Sequence, residues 1–157
     1  MNFLFQQKHS DLINYTPKYF KPYELVDRST YSKRGILSYQ LIDARILYTM
    51  DMIKEYFGVK HAVIINNWYW GKNREWSGLR IYGSPYYSLY SQHSLGRAID
   101  FIIDGIDAKY IRTCIINNPN HKAFKYITAI EDFASMSWVH IDCRNYDKKK
   151  NGLLIFD

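Results

Sequence analysis

The sequence predicts a single α+β domain with a largely antiparallel sheet packed by helices, on three observations. At 157 residues and 47% hydrophobic the chain has the size of one compact domain, and two halves would each be small for independent folding. Short β-branched runs and helical periodicities follow one another in mixed order with short connections, the pattern of an α+β domain. No internal repeat, low-complexity tract or linker interrupts them.

Residues 1–36 mix aromatic and charged side chains with Pro17 and Pro22 and keep no sustained period. They are expected to form an N-terminal arm with one short helix, ahead of a domain at 37–157. From Ser38 to Phe57, Leu41, Ile42, Ile46, Thr49, Met52, Ile53 and Tyr56 recur at three- and four-residue spacing, and Gly58 stops the pattern as a C-terminal glycine does. That stripe reads as core rather than as a cofactor surface. Ala62 to Asn66 is a β-branched run, hence a buried strand, and it leads into the polar-aromatic loop Asn67-Trp68-Tyr69-Trp70-Gly71. Loops at strand ends commonly carry function, so Asn67 and Trp68 are expected to line a substrate groove. A second strand is expected over Arg97 to Ile103. A second helix follows, with Asp107 as N-cap and Pro119 just past its end. Residues 126–130, 138–144 and 153–156 supply three more strands.

Composition narrows the function. A net charge of +6 is compatible with polyanionic surroundings, but only Lys148-Lys149-Lys150 is a dense basic run. No nucleic-acid motif accompanies it, so the scattered cations read as solvated surface and nucleic-acid binding is not expected. With 15 Tyr, 8 Phe and 4 Trp, the core and any groove should be built from rings with polar edges. Cys114 and Cys143 lack CxxC spacing, specify neither a disulfide framework nor a cysteine zinc site, and are expected to be buried thiols. The N-terminus does not read as a secretory signal and no apolar run approaches a membrane span. A target outside the producing cell would then be reached by lysis or within a particle.

Two of five histidines sit beside carboxylates in apolar settings, in Ser91-Gln92-His93-Ser94-Leu95-Gly96-Arg97-Ala98-Ile99-Asp100 and Trp138-Val139-His140-Ile141-Asp142. His9, His61 and His121 lie in polar stretches and read as surface residues. In the first segment a loop histidine can turn back through Gly96 onto the face from which a strand aspartate projects. In the second, strand alternation puts Trp138, His140 and Asp142 on one face. Two imidazoles and a carboxylate with a fourth position open is the ligand set of a hydrolytic Zn²⁺ site, where bound water is acidified to about pKa 7. A hydrogen-bonded His–Asp couple is the plainer alternative.

The pattern Ser91-x-His93-x-x-Gly96-x-Ala98-x-Asp100 followed by Trp138-Val139-His140-Ile141-Asp142 resembles the paired signature of the zinc D-Ala-D-Ala carboxypeptidases and L-alanyl-D-glutamate endopeptidases. That family has the hedgehog/DD-peptidase fold, and phages encode many members. The likeness extends to Ser77-Gly78-Leu79-Arg80, where the family has a serine-glycine-aromatic-arginine segment, and so covers roughly residues 60–144. The resemblance implies Zn²⁺ as cofactor with His93, Asp100 and His140 as ligands. It also implies that Arg80 polarises a scissile carbonyl, a task that suits a guanidinium fork; otherwise Arg80 is a surface loop arginine. Ser91 and Gln92 either shape the substrate side of the metal loop or make local backbone bonds. Asp142 either orients a ligand histidine or pairs with Arg144. One departure stands out: many members place a glutamate three residues before the last histidine as general base, and here that position is Ser137. Glu131, or less favourably Asp132, is expected to take over that role.

The expected function is a zinc metallopeptidase cleaving the peptide stems of bacterial peptidoglycan, phage-encoded, and acting from a virion or during host lysis. The alternative is a phage neck or tail protein that keeps the fold, partners other virion proteins and has lost turnover. A basic nucleic-acid module ranks behind both.

Overall fold

The computed structural model describes residue 12 and residues 14–157; His9 and the start of the expected arm lie outside them. The described residues form one α+β unit around a five-stranded sheet. Its strands are β1 (Val63–Ile64), β2 (Ala98–Ile103), β3 (Ala129–Glu131), β4 (Val139–Asp142) and β5 (Leu154–Phe156), in spatial order β1-β2-β4-β3-β5. Pairings are antiparallel except β3 with β5, which is parallel. Four α-helices accompany the sheet: α1 (Arg28–Arg34), α2 (Ala44–Phe57), α3 (Ala108–Asn117) and the single turn α4 (Lys148–Asn151).

Helix boundaries follow local chemistry. The periodic stretch from Ser38 divides in two, a 3₁₀ segment at Gly35–Leu41 and then α2. The break is Ile42, whose backbone is extended, followed by Asp43, whose carboxylate accepts the Arg45 N–H as an N-cap. Gly58 ends α2 at φ 102°, and Asp107 caps α3 through the Tyr110 N–H. The strands are shorter than their apolar runs, because Ala62, Ile65 and Asn66 leave the ladder at the sheet edge.

Strand alternation gives the sheet two faces. Ile99, Ile141 and Ile130 are mutual cross-strand neighbours and join the core, together with Ile46, Met50 and Ile53 of α2 and Ile111 and Ile115 of α3. One step along each strand, Asp100, His140, Glu131 and Phe156 stand opposite one another in a row on the other face. Over its described part, the segment expected as an arm belongs to the core. Phe20, Leu25 and Val26 are buried there, and the buried Asp51 carboxylate of α2 accepts the Tyr15 hydroxyl (2.7 Å) and the Lys18 and Tyr19 N–H groups (2.6 and 3.1 Å).

Of the two thiols, Cys143 is fully buried, which pushes its pKa up, whereas Cys114 on α3 is only half-buried, contrary to expectation. His121 is exposed, and His61 is half-buried with its ring against the Asp104 carbonyl. The basic run also divides. Lys149 and Lys150 are exposed, but Lys148 turns inward and its ammonium donates to the carbonyls of Pro119, Phe124 and Ile127 at 2.5, 3.0 and 2.8 Å. Burial lowers the Lys148 pKa to about 8, and the group keeps its proton at neutral pH. Lys148→Ala should therefore lower stability by about 2 kcal/mol, the scale of hydrogen bonds from a charged donor. Lys149→Ala should change it by less than about 0.5 kcal/mol. Urea denaturation of the two variants checks the contrast.

Candidate metal centre

The three residues expected as ligands reach one point from different elements: His93 from the loop 91–96, Asp100 from β2 and His140 from β4. Two glycines make the loop placement possible. Gly96 has φ +66°, and a Cβ there would stand 2.0 Å from the Leu41 carbonyl oxygen, so only glycine fits; its own carbonyl accepts the Asp43 N–H at 2.8 Å. A Cβ on Gly78 would meet the Leu25 carbonyl oxygen at 2.0 Å, and the Gly78 carbonyl is the acceptor for His93 Nδ1 at 2.7 Å.

Each of the three side chains is oriented from behind. His93 Nδ1–H donates to Gly78, which leaves Nε2 with its lone pair. His140 Nε2 faces the Asp142 carboxylate at 3.5 Å, which leaves Nδ1 on the inner side. Asp142 is itself held bidentately by Arg144 at 2.5–3.0 Å, the ion pair expected as one of its two roles, while it also faces His140. Arg80 donates to the outer oxygen of Asp100 at 2.7 Å and to the Trp76 carbonyl at 2.8 Å, so Asp100 presents its other oxygen inward.

The inner atoms, His93 Nε2, His140 Nδ1 and Asp100 Oδ1, stand 3.2, 3.2 and 2.7 Å from one another. Tetrahedral zinc with bonds of about 2.0–2.1 Å separates its ligands by roughly 3.3 Å, so the set fits after small adjustments. All three residues are at most 9% exposed, and the group can hold a metal ion. Within the group itself, His140 and Asp100 favour each other's charged forms. Burial would lower the His140 pKa, but hydrogen bonds to Asp100 and Asp142 outweigh it and raise the value to about 9. Burial would likewise raise Asp100, and the bonds from His140 and His93 instead hold it well below the usual carboxylate range.

A cavity of about 420 Å³ opens over this group, lined by Arg80, Ser91, Gln92 and Glu131 as well as the triad. Glu131 is the direct cross-strand neighbour of His140, so the two side chains project from the same face. Asp132, the other candidate acid, is not part of the lining and pairs with the buried Arg112 of α3 at 2.7 Å. Ser137 is exposed in the β3–β4 turn. Asn67 and Trp68 do not line the cavity. The Asn67 amide oxygen accepts the Arg74 N–H, and the Trp68 indole is buried with its N–H donated to the Val26 carbonyl. Tyr90, Trp138, Arg144 and Phe156 complete the lining. Phe156 and Tyr90 escaped sequence reasoning. Alternation along β5 marks a face, but nothing in the sequence says that β5 pairs in parallel with β3.

No protein family, curated protein or solved structure matches the chain. The likeness drawn from the sequence therefore rests on its short motifs.

Proposed function

We propose that the chain is a zinc-dependent peptidase acting on the peptide stems of bacterial peptidoglycan. The supporting observation is the convergence of two imidazole nitrogens and one carboxylate oxygen at the floor of an open cavity, with an acid beside them. The resemblance of the motifs around these residues to the zinc carboxypeptidases and endopeptidases of the cell wall supplies the substrate class.

Zinc, when bound, supplies a Lewis acid and lowers the pKa of water to about 7. The chain's own residues do the rest. Glu131 takes the proton of the attacking water and passes it to the leaving amine nitrogen. Arg80, fixed by Asp100 and the Trp76 carbonyl, has no protein acceptor for Nη1 among the described residues, and that nitrogen serves the carbonyl oxygen as charge develops. Asp142 and the Gly78 carbonyl hold the two histidines in the tautomers that turn the required nitrogens inward.

The test is elemental analysis of the purified full chain together with mapping of the products released from peptidoglycan. The native chain should carry a divalent metal and generate new amino termini. Glu131→Gln should keep the metal and slow product formation by about 10²–10⁴-fold. A native chain that holds metal but releases no termini would return the reading to a virion protein of neck or tail without turnover.

A further inference from the structure

The cavity has a cation at each end of its row of strand residues. Arg80 sits at the β2 end, bound to Asp100, and Arg144 reaches the β5 end, where its guanidinium lies over the Phe156 ring at 4.6 Å. Arg144 is held in place on two sides. Its Nε and Nη2 grip the fully buried Asp142 carboxylate at 2.5–3.0 Å, and the aromatic face supports its plane. No acceptor engages Nη1 among the described residues, although the side chain is 30% exposed and lines the cavity. A guanidinium fixed by a buried carboxylate and a ring, with donors left over at a cavity edge, is organised in advance to receive an anion. Arg80 lies against Asp100 of the triad, where its Nη1 is assigned to the scissile carbonyl, so the two arginines are not equivalent.

We infer that Arg144 is a substrate-anchoring residue: it binds a free carboxylate of the peptide at the Phe156 end of the cavity while the scissile amide lies over the triad. This deepens the peptidase reading, on which it rests, by specifying an anionic peptide and the end of the cavity at which the charge lies. The carboxylate receives Nη1 donors, and neither bond making nor proton transfer involves Arg144. Arg144→Gln removes the charge, and Arg144→Lys keeps it without the fork.

The probe is a synthetic stem pentapeptide, prepared with its carboxyl groups free and, separately, with each one amidated. Equilibrium binding to the full chain is measured by calorimetry, and hydrolysis of the same peptides is followed alongside. The native chain should bind the free acid at least about tenfold more tightly than the amide, the scale of one charge-assisted pair. Arg144→Gln should lose that preference, binding both peptides with the affinity the native chain has for the amide. Arg144→Lys should recover part of it. In turnover Arg144→Gln should raise KM for the free acid about tenfold relative to KM for the amide, while any fall in kcat from the weakened hold on Asp142 should be the same for both peptides. Equal weakening of both peptides in Arg144→Gln would mean that Arg144 merely supports Asp142, and would overturn the inference. So would a native chain indifferent to amidation. Discriminating binding by a native chain that hydrolyses neither peptide would sustain the anchor and overturn the peptidase reading instead.

Discussion

His93→Ala is expected to bind zinc about 10³-fold more weakly than the native chain and to release no products from peptidoglycan. The size follows from ligand count: structural zinc sites gain about 10–16 kcal/mol in all, and roughly 4 kcal/mol per lost ligand converts to about 10³. Little compensates, because Nε2 of His93 is one of only three inner atoms, and the Gly78 carbonyl behind it loses its donor as well. Competition against a fluorescent chelator measures the affinity. Asp142→Asn offers the graded comparison: the His140 nitrogen survives while the group behind it loses its charge and its grip by Arg144, so a loss of about 10–100-fold is expected. Native affinity in His93→Ala would remove the metal centre from consideration.

Gly78→Ala should be strongly disruptive for a single-methyl addition, lowering stability by about 3 kcal/mol, at the upper end for overpacking. The added carbon would stand 2.0 Å from a backbone oxygen, and backbone cannot swing aside as a side chain does. Relief requires residues 77–79 to move away from Leu25. That motion strains the Leu79 N–H bond to Leu25 (2.9 Å), the Asp100 N–H bond to Ser77 (2.7 Å) and the grip on His93. Zinc affinity should fall along with the denaturation midpoint. Ser77→Ala next door adds no atom and should change stability by less than about 0.5 kcal/mol. A Gly78→Ala protein as stable as the native one would refute the close packing of these two segments.

These examples show which parts of the molecule were legible in the sequence. Caps and stops were local signals, so Asp107 and Gly58 marked helix ends correctly, and the alternation in Val139 to Asp142 showed which side chains share a face. The grouping of His93, Asp100 and His140 was legible because two short motifs hold them in order. What depended on distant partners was not. Asn67 and Trp68 read as a groove because loops at strand ends often carry function, yet the Trp68 indole donates to a carbonyl 42 residues earlier in the chain. Glu131 was favoured over Asp132 from the sequence, but the pairing of Asp132 with Arg112, which lies on another element and outside the cavity lining, was not visible there. Arg144 was visible only as a neighbour of Asp142, since its support by Phe156 arises from a parallel pairing that no spacing announces.

The row formed by Asp100, His140, Glu131 and Phe156 draws one side chain from each of four strands. A slip of a single position between β3 and β4 would send Glu131 to the opposite side and put Ile130 or Asp132 in its place, according to the direction of the slip. If the chain is the peptidase proposed above, molecules with a misaligned ladder would be inert even when compact, and specific activity per folded chain would report how faithfully the strands have zipped together.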